Sequence, residues 1–192
     1  MELRIYDVGP DFGFRYLEPD RETARAIRHS MKQQGKVPYW GDPMKDVWPA
    51  GHWKVHGDKG ATRLGDLIGV IPDSLFGIRD SVLEQFLDAF GMFGEALPIE
   101  IASREAPSAH LFNTLQKVPA LDHERSILTG HTRQRHYVWA NNVLEAGWLF
   151  RDEKRGVQVF CASDGVNGLP EFCAEHGLHG LSFRELGTCV SA

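Results

Sequence analysis

Residues 75–101, LFGIRDSVLEQFLDAFGMFGEALPIEI, have the order of a strand, a helix, a glycine-rich turn and a second strand. Asp80 or Ser81 is expected to cap the helix at its start, and Gly91 and Gly94 are expected to end it. The second strand is predicted because apolar residues at 97, 99 and 101 alternate with other residues. One face of the helix carries the apolar residues Val82, Leu83, Phe86, Leu87 and Phe90.

The same order of elements returns near the C-terminus. Residues 157–161 predict a strand, and Pro170 suits the first turn of a helix that runs to about Glu175. Gly177 can take the left-handed conformation after that helix, and residues 181–183 predict the closing strand. We therefore expect two related strand-helix-strand units in an α+β fold, with a few helices on one side of a mixed, largely antiparallel sheet.

The segments around these units predict further elements. Residues 1–35 predict an N-terminal strand and a helix capped by Asp20, which we expect to form one compact unit with the α+β domain of residues 36–192. Residues 36–61 are irregular and rich in Gly, Pro and Trp, which favours a long loop or lid. Further short strands are predicted at residues 67–71, 75–78, 111–115 and 137–139.

Composition restricts the classes of partner. The chain has 192 residues, a formal net charge of −5 and an isoelectric point near 6.0. An acidic protein is not expected to bind a phosphate backbone, whereas it suits a basic protein partner. We expect a cytoplasmic protein without a membrane partner, because there is no signal-peptide pattern and no apolar run of roughly 20 residues. The odd number of cysteines fits a reducing compartment.

Two groups of side chains were weighed as sites of chemistry. Cys173, His176 and His179 have spacings that zinc uses on a helix, but Gly177 is expected to end the helix between the two histidines. We therefore interpret them as one core thiol and two surface histidines. Acids at Asp152-Glu153 and at Asp122 with Glu124 are typical of solvated loops.

Four other histidines allow an enzymatic alternative. His52 with His56, and His131 with His136, have side chains that titrate near neutral pH and serve as acids and bases in enzymes. No nucleophile motif accompanies them, so surface positions are the preferred interpretation. We expect no catalytic residue, no cofactor and no metal.

Aromatic and acidic residues are the candidates for partner binding. The aromatic side chains either form a satellite core beneath the loop, or expose anchors of a binding surface, where Trp and Tyr are enriched. Glu18, Asp20 and Glu22 are further acids that would attract a basic partner. The candidate partner-binding residues are Trp40, Trp48, Trp53, Tyr137, Trp139, Glu95 and Glu105.

Several sequence pieces, taken in order, resemble bacterial polymorphic-toxin immunity family eleven. The most specific are the Leu-Asp-x-x-x-Ser piece beginning at Leu121 and the Leu-Phe-Arg piece ending at Arg151, and the resemblance spans roughly residues 36–186. The pieces are Gly65-Asp66-Leu67-Ile68, residues 97–101, residues 118–126, Trp148-Leu149-Phe150-Arg151 and residues 177–183.

The resemblance implies a function in bacterial competition. Members of that family are encoded beside polymorphic toxins and are thought to neutralise them. The expected partner is therefore a cognate secreted protein toxin, blocked by protein–protein interaction and not by turnover. A small enzyme that uses surface histidines, and a ligand-binding regulatory domain, are the competing hypotheses, and the oligomeric state stays open.

Overall fold

The computed structural model describes residues 1–37, 41–49, 51–57, 60–71, 75–102, 108–127 and 136–192. Within these residues it has three helices and eleven strands, which confirms the predicted α+β class. The helices are α1 (Arg21–Gln33), α2 (Asp80–Phe90) and α3 (Leu169–His176). The strands are β1 (Glu2–Pro10), β2 (Tyr16–Pro19), β3 (His52–His56), β4 (Leu67–Gly69), β5 (Phe76–Arg79), β6 (Gly94–Ile101), β7 (Ser108–Thr114), β8 (Lys117–Val118), β9 (Leu149–Asp152), β10 (Phe160–Ser163) and β11 (Leu181–Val190).

The strands form two mixed sheets. The five-stranded sheet has the order β11-β1-β10-β9-β8, and the six-stranded sheet has the order β2-β3-β6-β7-β5-β4. Only the pairs β3/β6 and β8/β9 are parallel among the described strands. The largely antiparallel character is confirmed, although the expected single sheet is divided into two.

The repeated unit is present in the topology. Strands β5 and β6 both pair antiparallel with β7, which lies between them, and α2 connects them. Strands β10 and β11 both pair antiparallel with β1, and α3 connects them. Each unit is therefore two mutually parallel strands, joined through a helix and separated by an antiparallel strand. Because β1 completes the second unit, the N-terminal segment is an integral part of the sheet.

Three apolar clusters cover the faces of the sheets. The alternation of side chains along each strand shows which face each cluster covers. In β4, Ile68 belongs to the cluster beneath α1, and the preceding residue, Leu67, belongs to the cluster beneath α2 and α3. In β9, Leu149 joins the α2/α3 cluster, whereas Phe150 joins a third cluster on the opposite face. Successive side chains of a strand point to opposite faces. The α2/α3 cluster therefore contacts one face of both sheets.

Helices α2 and α3 meet over this shared cluster. The Phe172 ring of α3 lies 6.2 Å from the Phe86 ring and 5.1 Å from the Phe90 ring, both in edge-to-face contacts. Helix α1 packs Ile27 and Met31 against the other face of the six-stranded sheet. The expectation that all helices lie on one side is therefore wrong for α1, because its apolar stripe covers the face that α2 leaves open.

Three local predictions need correction. The predicted loop of residues 36–61 contains β3, which is inserted between β2 and β6. The predicted strand at 137–139 forms only an isolated bridge at Trp139. Arg79, and not Asp80 or Ser81, is the N-cap of α2, and the Asp80 carboxylate instead accepts a hydrogen bond of 2.6 Å from Ser108.

Two predicted helix boundaries are confirmed. Asp20 caps α1, and its carboxylate accepts a 2.8 Å hydrogen bond from the backbone N–H of Thr23. Gly177 ends α3 in the left-handed conformation with φ of 63°. No helix built from the described residues is long and apolar enough to cross a membrane.

Candidate functional site

A surface cavity of about 480 Å³ lies where α2 and α3 meet two turns of the chain. We call it the helical groove. Its sides come from residues 89–93 at the end of α2, the turn at 145–148, the turn at 166–168 and the α3 residues Phe172 and Glu175. Its volume falls within the range typical of ligand and side-chain binding sites.

The groove combines a packed floor with exposed apolar edges. Phe90 and Phe93 are buried members of the α2/α3 cluster, and Trp148 and Phe172 pack against that cluster while staying partly exposed. Met92 is 83% exposed and Val166 is 78% exposed, the two highest values among the exposed large apolar side chains. Apolar side chains grouped at a concave site are typical of protein-binding surfaces.

The charged side chains that line the groove are both acidic. Segments 80–100, 140–150 and 156–183, which supply every lining residue, contain nine Asp or Glu residues and no Lys or Arg. Glu145 and Glu175 line the groove and are exposed. Neither carboxylate has a hydrogen bond or ion pair with another described residue. The groove therefore combines apolar side chains with two exposed carboxylates.

Helix α1, on the opposite face of the six-stranded sheet, carries four exposed basic residues. Arg21, Arg25, Arg28 and Lys32 are exposed along α1, at spacings that place them on neighbouring turns of one helix. The exposed charges of α1 are thus mainly basic, whereas the two charged side chains that line the groove are acidic. Such a separation of charge orients an approaching charged partner.

Most of the aromatic candidates lie in the core. Trp53 is fully buried beneath α1, and Tyr137 and Trp139 are buried in the third cluster with their rings stacked 5.8 Å apart. These three residues belong to the main core clusters and are not exposed in this conformation. Trp48 is half-buried and donates from Nε1 to the Pro98 carbonyl at 2.8 Å. Trp40 lies outside the described residues.

Glu95 is engaged within the molecule, contrary to the binding role predicted for it. Its Oε1 accepts hydrogen bonds from the Met44 N–H at 2.6 Å and the Asn113 side-chain amide at 2.8 Å. Its Oε2 accepts from the Lys45 N–H at 3.2 Å. Glu95 therefore attaches the chain around residues 44–45 to strands β6 and β7.

Substitution of Glu95 by Ala is expected to lower the free energy of unfolding by about 2 kcal/mol, because backbone and amide donors lose a charged acceptor. Urea denaturation measures this change, and hydrogen exchange is expected to accelerate at residues 44–45. Glu84→Ala removes an exposed carboxylate from α2 and serves as the control, with a change within about 0.5 kcal/mol. Equal stability of the two variants would contradict the anchoring role.

The other predicted acids do not form one surface. Glu18 pairs with His56 at 3.5 Å, Asp20 caps α1, and Glu22 lies in the first turn of α1. The hydrogen bonds from Thr23 hold the pKa of Asp20 below its usual value. Glu105 lies outside the described residues.

The histidines considered for catalysis do not converge within the described residues. His52 pairs with Glu100 at 3.3 Å and His56 with Glu18, so the two rings of β3 face different neighbouring strands. His136 is exposed and bonds through its backbone to Ile127. His131 lies outside the described residues.

The Cys173 region has the structural character expected from the sequence. Burial raises the pKa of the Cys173 thiol to about 12, which keeps it protonated near neutral pH. His179 is exposed and stacks on Phe14, whereas the His176 ring contacts Phe172. No three His, Cys, Asp or Glu side chains in the described part of the chain are grouped to hold a metal ion.

The sequence did not predict that Arg151 and Asp152, at the end of β9, are both buried. Asp152 is fully buried, although its pairing with Glu153 had suggested a solvated loop. Its Oδ2 accepts from the Leu121 N–H at 3.0 Å, and its Oδ1 lies 2.8 Å from His123 Nε2. The preceding Arg151 is also fully buried and donates to the carbonyls of Thr114 and Gly156, and burial lowers its pKa to about 10.

The sequence pieces that carry the family resemblance have structural roles in this fold. Asp122 Oδ1 accepts the N–H groups of Glu124 and Arg125, and Ser126 exchanges two hydrogen bonds with Val138. Gly65 and Gly180 lie where two backbones approach so closely that a Cβ at either glycine would collide with a backbone carbonyl. The first piece orders a loop, and the two glycines allow the two sheets to approach each other.

The helical groove was not predicted from the sequence. Met92 and Val166 are ordinary apolar residues in their local sequence, and only the tertiary structure exposes them beside one another. The one available signal was the lack of Lys and Arg in the segments that surround them. Comparison of the chain with protein-family models and with curated proteins finds no match.

Proposed function

We propose that the protein is an immunity protein that binds a cognate bacterial toxin and neutralises it in the cytoplasm without chemical turnover. The helical groove is the observation that carries this proposal, since it combines exposed apolar side chains with two exposed glutamates on a packed floor. A toxin that attacks nucleic acid carries Lys and Arg for phosphate contact. An acidic surface attracts such a protein and aligns it before docking.

The scaffold supports a binding role. The groove floor belongs to the cluster shared by both sheets, so its side chains are positioned by the core of the protein. A preformed surface costs less conformational entropy on association than a surface that must first become ordered. The identity of the partner as a toxin comes from the resemblance to immunity family eleven.

We expect the neighbouring reading frame to encode a secreted protein with a toxic C-terminal domain, and coexpression with that domain tests the proposal. We expect the wild-type protein to restore growth fully. The variant with His52, His56, His131 and His136 changed to Ala is expected to restore growth equally. Failure of the wild type to restore growth would contradict the immunity function, and loss of protection in the folded histidine variant would favour the enzyme hypothesis.

A further inference from the structure

We propose that the helical groove is the docking site for a cationic segment of the toxin. Apolar side chains of that segment enter between Met92 and Val166, and its Lys or Arg side chains face Glu145 and Glu175. The proposal rests on the proposed function for the identity of the partner. The chemistry of the segment follows from the groove itself.

The apolar part of the site selects an amphipathic segment. Met92 and Val166 flank a floor that contains Trp148 and Phe172. Met side chains adapt to different partner shapes, and Trp supplies a large contact area with few rotatable bonds. Burying these exposed surfaces against a partner gives an association free energy that a purely polar segment cannot provide.

The charges select a cationic segment. The carboxylates of Glu145 and Glu175 have no ion-pairing partner among the described residues, so a Lys or Arg of the toxin would not have to displace an existing ion pair. Asp88 is a further exposed acid, adjacent in sequence to the lining residue Ala89. An acidic segment would be repelled at this site by these carboxylates.

A second copy of this chain is a less suitable occupant. An isologous dimer through the groove would bring two acidic surfaces together. The basic helix α1 of another copy has the right charge, but that contact would join different surfaces and continue from molecule to molecule. The toxin segment is therefore the occupant that the charge distribution favours.

Fluorescence anisotropy with two synthetic peptides tests the chemistry of the groove. The first is a labelled amphipathic helix of Leu and Lys, and the second carries Glu in place of Lys. We expect binding of the Lys peptide only. The double variant Glu145→Lys/Glu175→Lys is expected to weaken binding at least tenfold, and Met92→Lys/Val166→Lys to weaken it similarly.

A control variant separates the groove from bulk charge. Glu22→Lys/Glu124→Lys changes exposed glutamates elsewhere and alters the net charge by the same amount as the groove charge variant. It is expected to bind the Lys peptide within twofold of the wild type. Equal weakening of binding by the control and the groove variants would overturn the proposal. Binding of the Lys peptide by all variants with wild-type affinity would also overturn it. Self-association of the wild type that the groove variants abolish, measured by light scattering, would also overturn it.

Coexpression distinguishes this proposal from the proposed function. If the groove site is correct, the groove charge variant loses protection against the toxin while the control variant retains it. Full protection by every groove variant would refute the groove as the docking site and leave the immunity function standing. Failure of the wild type to protect would refute the function, whatever the peptides show.

Discussion

Replacing Gly180 by Ala is expected to lower the free energy of unfolding by about 3–5 kcal/mol, from backbone strain and steric overlap together. Gly180 has φ of 112°, a conformation that side-chain-bearing residues rarely adopt. A Cβ there would also collide with the Leu67 carbonyl oxygen. This carbonyl is part of a tight crossing in which the Leu67 N–H donates to the His179 carbonyl at 3.0 Å. The crossing cannot open without loss of that bond.

Gly177→Ala is the matched control. Gly177 also has positive φ, of 63°, but a Cβ there would meet nothing within 4 Å. Gly177→Ala is expected to lower the free energy of unfolding by about 1–2 kcal/mol, from the unfavourable backbone conformation alone. Urea denaturation of both variants separates strain from collision, and equal losses would contradict the close approach of residues 65–67 and 179–180.

Phe86→Ala is the second substitution with a large expected effect, a loss of about 3–5 kcal/mol in the free energy of unfolding. Phe86 is fully buried at the centre of the α2/α3 cluster. Its ring lies 5.6 Å from that of Phe76, 5.1 Å from those of Phe90 and Phe112, and 6.2 Å from that of Phe172. Truncation therefore leaves a cavity between α2, α3 and the six-stranded sheet.

Thermal unfolding measures this effect, with a midpoint expected to fall by roughly 10 °C for a chain of this size. Phe12→Ala is the control, because Phe12 is 51% exposed and is expected to change stability by less than about 1 kcal/mol. Similar losses for the two substitutions would show that the cluster does not connect the helices as described.

The repeated units could be predicted because their signals are local. Helix α2 carries its apolar residues on one face and is followed by Gly91, and β6 shows the burial alternation that its sequence predicts. The sheet pairing within each unit was not predictable in this way. The antiparallel strand inserted between β5 and β6 follows them in sequence, whereas the one between β10 and β11 comes from the N-terminus.

Residues whose environment depends on distant segments were misjudged. Strand β3 has the sequence HWKVH between glycine-containing segments, and its pairing with β2 and β6 comes from residues far away in the chain. Asp152 looked solvated because its neighbours in sequence are charged, whereas its partners are Leu121 and His123. The groove escaped prediction for the same reason, because its lining comes from three separated parts of the chain.

The most direct measurement of the binding function is a titration of toxin activity with the purified protein. A non-catalytic inhibitor is expected to reduce activity linearly to zero at one equivalent, and the toxin should be recovered chemically unchanged on denaturation of the complex. Inactivation of a large excess of toxin by a trace of the protein, growing with time, would show turnover and contradict the account.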